Sequence, residues 1–217
     1  MTRRLYFIAA TNRTGSTWLC RMLSSTGTAG CPRELLRHRP IAEQWAESLD
    51  KDPHGVKLWL PELRTLWPLV DPAERRRARW VWLVRRDTWR QAVSQYRART
   101  SGVWHVTGRA RIPPAHRDVP YDAAAIADVR LRLRRAARAW RTWFRCHAVA
   151  PLLILYEDLA AEPEKTVRRI LRHLRLDEPP TIDTRGMTIL RDEITDAWLD
   201  RLRRDGEIVK SPRPDPR

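Results

Sequence analysis

Residues 5–23 read LYFIAATNRTGSTWLCRML, and this stretch decides the fold. Residues 5–10 form an unbroken apolar run, the pattern of a strand buried on both faces. The run breaks into a polar turn, Thr11-Asn12-Arg13-Thr14-Gly15-Ser16-Thr17. An apolar helical pattern follows, with Trp18, Leu19, Met22 and Leu23 on one side. Strand, small-residue turn and helix together make a phosphate cradle. Backbone N–H groups of the turn and first helical residues converge, and the helix dipole makes that point positive. An anionic, nucleotide-derived ligand is implied. The same residues also suit a plain strand-to-helix connection with a Ser/Thr cap. The turn lacks the G-x-x-x-x-G-K-[ST] spacing of a Walker A loop, because Gly15 is its only glycine and Arg13 precedes it. It is not G-x-G-x-x-G either.

Outward from this stretch, apolar runs alternate with helical patterns. Residues 55–60 (GVKLWL) read as a buried strand closed by Pro61. Asp71-Pro72-Ala73-Glu74 has the form of a helix start. Residues 79–84 (RWVWLV) read as a strand, followed by a helix from Asp87 to Thr100. Residues 101–120 are irregular and long for a loop, the kind of segment that forms lids or substrate walls. Residues 121–147 read as one amphipathic helix, 152–156 (LLILY) as a strand, and 163–174 and 193–204 as helices. The fold class expected is α/β, a P-loop-like central parallel sheet with helices on both faces. Such sheets bind ligands at the carboxyl ends of their strands. The chain length of 217 residues suits one domain over 1–210, with the proline-rich tail 211–217 expected to be disordered.

The net charge is +16, with 38 arginines and only 4 lysines. The basic residues are spread along the chain and no nucleic-acid-binding motif accompanies them, so specific nucleic-acid binding is not expected. No run approaches the length of a membrane span, and no signal peptide is read at the start, so the expected location is cytoplasmic. Cys20, Cys31 and Cys146 have no metal-binding or disulfide spacing, and buried free thiols are expected. No metal site is expected.

A second motif lies after the strand at 79–84. Arg86 stands at the strand end and Ser94 eight residues later, two turns into the next helix. Arg86 followed by Ser94 resembles the second phosphate site of the sulfotransferases. Their first site has the form [KRQ]-[ST]-G-[ST]-[ST]-x-L, which Arg13-Thr14-Gly15-Ser16-Thr17-Trp18-Leu19 matches. Tyr156-Glu157-Asp158-Leu159 is similar to the family's Y-E-D-L segment. Arg13 in place of lysine, the stretch 26–34 (TGTAGCPRE), Gly55-Val56-Lys57 and Gly102-Val103-Trp104-His105 resemble the bacterial trehalose 2-sulfotransferase-like subfamily. The resemblance runs from about residue 5 to 176.

It implies 3′-phosphoadenosine 5′-phosphosulfate as donor and co-substrate, with no metal. Arg13, Thr14, Gly15, Ser16 and Thr17 would hold the 5′-phosphosulfate, and Arg86 and Ser94 the 3′-phosphate. Two anionic centres in the donor meet two cradles in the sequence. The acceptor would be a small-molecule hydroxyl, on a carbohydrate or specialised metabolite. Arg13 is the candidate for stabilising the leaving phosphate. Glu34 matches the glutamate thought to act as base in the trehalose-type enzymes, with an exposed glutamate opening a helix at Leu35-Leu36 as the plain alternative. His105 is the second candidate base. Lys57, inside a buried-strand pattern, is either a site residue or half of a structural ion pair. Glu34, Lys57, Trp104 and His105 are the candidate acceptor contacts. Glu157 and Asp158 are expected to fix the strand end. Trp80, Trp82, Trp140 and Trp143 are expected in the core, whereas Trp104, Trp59 and Trp198 are candidates for a pocket wall.

The sequence departs from the subfamily at Arg33-Glu34-Leu35-Leu36, where two aromatics usually follow the glutamate, and it is short around the acceptor loops. Both departures argue against trehalose itself as acceptor. The resemblance allows a homodimer, to which no residue pattern points. Two other readings compete: a P-loop kinase-like phosphotransferase, opposed by the missing Walker residues and Mg²⁺ carboxylate, and a basic nucleic-acid-binding protein, opposed by the scattered arginines.

Overall fold

The apolar runs become strands because each is long enough to cross a core and offers side chains to both faces. The structure, a computed structural model, describes residues 4–34, 39–106, 111–185 and 192–206. It divides into two compact units. The first holds Met1–Arg86 with Arg135–Gly186, and the second Asp87–Arg134 with Met187–Arg217.

The first unit is built on β1 (Leu5–Ala10), α1 (Ser16–Ser25), β2 (Arg33–Glu34), α2 (Ile41–Ala46), β3 (His54–Leu58), α3 (Leu60–Leu66), α4 (Pro72–Arg77) and β4 (Arg79–Val84). With β5 (Leu152–Leu155) from later in the chain, the five-stranded sheet has the order β2-β3-β1-β4-β5, and all its pairings are parallel. Side chains alternate across it. Tyr6, Ile8, Val81 and Leu83 pack with Leu19 and Leu23 of α1 on one face. Leu5, Phe7, Val56, Leu58, Trp80 and Trp82 pack with Leu63 and Leu66 of α3 on the other. The aromatic side of this second face is dense. Phe7 and Trp80 lie 4.5 Å apart between centroids, and Trp80 and Trp143 4.9 Å apart.

The second unit begins with α5 (Thr88–Ser101) and α6 (Pro114–Arg117). The helix α7 (Ala123–Cys146) runs through the division between units, and its residues Trp140 and Phe144 belong to the aromatic core of the first. The chain then returns to β5 (Leu152–Leu155), α8 (Tyr156–Ala161) and α9 (Pro163–Leu174), and α10 (Glu193–Arg204) completes the second unit. There Ala92, Val93, Ile126, Val129, Trp198, Leu199 and Leu202 form one core. Arg97, fully buried, pins three segments of this unit. It donates to both Asp192 oxygens at 2.6 and 2.9 Å, to the Thr195 hydroxyl at 2.9 Å and to the His116 carbonyl at 2.8 Å.

Four expectations need correction. Glu34 does not open a helix's first turn but lies on the two-residue edge strand β2; Leu35 and Leu36 fall outside the described residues. Pro61 does not end a strand running to Leu60, because the strand stops at Leu58 and Pro61 sits in the first turn of α3, where its missing N–H costs nothing. Trp198 is buried in the core of the second unit, where it serves packing. Of the thiols only Cys20 is buried, while Cys31 and Cys146 are exposed, and all three are free. The tail 211–217 lies outside the described residues. Among the described residues no helix is long and apolar enough to cross a membrane.

Candidate active site

β1 ends at Ala10, whose carbonyl accepts from the buried Trp140 indole at 3.0 Å. The turn that follows is compact. The Thr14 hydroxyl donates to the Thr11 carbonyl at 2.8 Å, and Thr14 is fully buried. Arg13 adopts φ +64° and Gly15 φ +81°, two left-handed residues that curl the backbone back on itself. A Cβ on Gly15 would come 2.9 Å from the Tyr156 ring, so the turn is tight as well as left-handed. Gly15 is the N-cap of α1. That helix starts with no side-chain cap and no acidic residue in its first turn. Its positive end therefore faces the turn without an internal counter-charge.

Two guanidinium groups stand beside this helix end. Arg13 is half-buried and Arg85, the residue directly after β4, is buried. Arg85 Nη1 donates to the Arg13 carbonyl at 3.2 Å, and its guanidinium lies 4.4 Å from the centroid of the Tyr156 ring. Burial, and secondly the charge of Arg85, push the Arg13 guanidinium down to about 10. A partly desolvated cation beside another cation and a helix N-terminus is an arrangement that an anion relieves. Arg86, one position on, is exposed. Its backbone N–H donates to both carboxylate oxygens of Glu157 at 3.1 Å, which joins the end of β4 to the start of α8. That bond gives Glu157 the strand-fixing role read from sequence.

On the other side of the turn stands Lys57 of β3. Its Nζ lies 2.6 Å from Glu34 Oε2, 3.2 Å from the Thr17 hydroxyl and 5.0 Å from the Trp59 ring centroid. Register explains the first contact, since Glu34 pairs with Lys57 across β2 and β3. The Lys57 side chain is 6% exposed and that of Glu34 37%. Cys20 lies within reach of this pair's charges, and burial pushes its thiol up to about 12.

The sheet unit thus brings together Arg13, Thr14, Gly15, Ser16, Thr17, Glu34 and Lys57, with Arg86 at the neighbouring strand end. The remaining candidates belong to the second unit. Ser94 is half-buried on α5, and Trp104 and His105 are exposed beyond its end. Sequence reasoning missed Arg85 and Tyr156. The Arg85-Arg86 doublet at a strand's carboxyl end was the available signal, and only its second member was taken up. Among the described residues no three His, Cys, Asp or Glu side chains group as metal ligands.

A parallel sheet whose first strand–helix turn is flanked by two guanidiniums, with a carboxylate–ammonium pair at its edge, is an α/β architecture. The chain belongs to the Stf0 sulphotransferase family, whose model matches residues 5–78 and 56–205. It is 26% identical to the trehalose 2-sulfotransferase of Mycolicibacterium smegmatis, in an alignment covering 93% of this chain and 95% of the relative. It is 25% identical to the trehalose 2-sulfotransferase of Mycobacterium tuberculosis, over 96% and 98% respectively. The M. smegmatis alignment runs over 270 residues, more than this chain contains, so that relative has stretches without counterpart here.

Proposed function

We propose that the protein transfers a sulfuryl group from 3′-phosphoadenosine 5′-phosphosulfate to a hydroxyl of a carbohydrate or specialised metabolite. The observation that carries this reading is the pair of guanidiniums, Arg13 and Arg85, beside the uncapped start of α1. A phosphosulfate presents anionic oxygens that two guanidiniums and a helix N-terminus attract. Gly15 lets the Tyr156 ring pack closely against the turn. Arg86 and Ser94 are the residues put forward for the 3′-phosphate, and Trp104 and His105 for contacts to the acceptor.

The acceptor oxygen attacks sulfur as its proton passes to a Glu34 carboxylate oxygen. A sulfur–oxygen bond to the acceptor forms, and the bond from sulfur to the bridging phosphate oxygen breaks. The electron pair leaves on that oxygen, where the Arg13 guanidinium meets the growing negative charge. The products are a sulfate ester and 3′-phosphoadenosine 5′-phosphate. In-line placement and charge stabilisation supply most of the rate. The two relatives are named for trehalose. The shorter chain and Leu35-Leu36 in place of aromatics favour a different hydroxyl acceptor here.

Calorimetric titration tests the donor. 3′-Phosphoadenosine 5′-phosphate is expected to bind with micromolar affinity, and ATP with Mg²⁺ not to bind measurably. Binding of ATP–Mg²⁺ without the bisphosphate would transfer the assignment to a kinase-like phosphotransferase.

A further inference from the structure

A lysine in the middle of a fully buried strand calls for an explanation. All five residues of β3 are buried, and Lys57 stands in register with the fully buried Ile8 of the central strand β1. Taking an ammonium out of water costs several kcal/mol, and an apolar side chain of like volume is often no worse for stability. The three contacts of Lys57 all point to the carboxyl end of the sheet. They join two parts of the site that the chain keeps apart, the donor turn through Thr17 and the proposed base through Glu34.

The pair is asymmetric. The ammonium is buried, whereas the carboxylate is more than one-third exposed and so open to an incoming hydroxyl. We infer that Lys57 is a positioning residue of the transfer reaction. Its ammonium, anchored on the Thr17 hydroxyl, holds the Glu34 carboxylate at a fixed distance from the donor cradle. Lys57 itself exchanges no proton. When Glu34 takes the acceptor's proton it becomes neutral, and the ammonium loses its counter-charge beside a newly formed anionic product. This inference rests on Glu34 being the base.

A double-mutant cycle separates the two claims. Glu34→Gln, Lys57→Met and the double variant are compared for turnover, with 3′-phosphoadenosine 5′-phosphate affinity measured by calorimetry as the check on folding and on the cradle. Lys57→Gln serves beside Lys57→Met, since it keeps a hydrogen-bonding end without the charge. Affinity for the bisphosphate is expected within about threefold of wild type in all variants, with kcat falling by about 100-fold or more in Glu34→Gln and about tenfold or more in the Lys57 variants. The double variant is expected to match Glu34→Gln within about twofold, because a residue acting through another adds nothing once that other is gone. If Glu34→Gln turns over normally, the base assignment falls and this inference with it. If Glu34→Gln is crippled but the Lys57 variants are normal, or the two losses multiply in the double variant, the base stands and the role of Lys57 is overturned. Loss of bisphosphate affinity in both Lys57 variants would make it a structural residue of the cradle, which also overturns the inference.

Discussion

Gly15 shows how much of the site hangs on single backbone positions. Its φ of +81° lies where a Cβ is strained, and the Tyr156 ring fills the space a Cβ would need. The ring cannot retreat freely, because the Arg85 guanidinium lies against it and holds the Arg13 carbonyl at the same time. Gly15→Ala is therefore expected to lower unfolding free energy by about 1–2 kcal/mol from the left-handed backbone alone. It should also weaken 3′-phosphoadenosine 5′-phosphate binding more than tenfold, checked by chemical denaturation and calorimetry on the same preparation. A variant with unaltered affinity would mean that the turn does not shape the cradle. The tightness of this turn was legible in the sequence, because a glycine among small hydroxyl residues between a strand and a helix marks a close connection. Tyr156 was not legible as its neighbour, since a tyrosine closing an apolar run looks the same whether it ends a strand or packs against a distant turn.

Among the elements, those read correctly have an unambiguous period. β1, β4 and α9 carry apolar residues at the spacing of a buried strand or an amphipathic helix, and the structure places them where the pattern does. β2 has two residues, one of them charged and exposed, and gives no period to read. α8 follows β5 without a loop, so no turn residue marks the change. α10 is held differently, by the buried Arg97. The Asp192 carboxyl is pulled up by burial, but hydrogen bonds and charge from Arg97 and bonds from Thr195 outweigh this and hold it below its ordinary value. A carboxyl depressed in the folded state contributes stability that is complete above its unfolded value and lost as pH falls through its folded value. Lowering pH below the ordinary aspartate range is thus expected to loosen α10, read as faster amide exchange in that helix. Asp192→Asn should remove this acid-dependent step and cost about 3–5 kcal/mol at neutral pH, because it leaves Arg97 buried without its counter-charge. Thermal melts of both proteins at neutral and acid pH check the expectation; parallel pH profiles would refute it.

For the molecule as a whole, the parallel sheet and its two packed faces followed from apolar runs, while the division into two compact units did not. Nothing in the sequence of α7 marks the point where its packing partners change, because one amphipathic stripe serves both cores. The charge of the cradle also acts on the whole fold. Arg13 has its folded-state value at about 10, below its ordinary value, so holding it charged works against folding. That cost is present in full below about 10 and fades as pH rises from there to the unfolded value. Arg13→Gly removes the half-buried charge and relaxes the left-handed backbone at one stroke. It is expected to raise the melting temperature of the free protein by a few degrees. It should also abolish the stabilisation expected of the wild type with 3′-phosphoadenosine 5′-phosphate, about 2.7 kcal/mol at 100 times Kd. Differential scanning calorimetry with and without the bisphosphate measures both. A directed-evolution campaign that rewards heat resistance in the absence of nucleotide is therefore expected to remove Arg13 early and, given the proposed role of Arg13 at the leaving group, to return hardier, inactive clones.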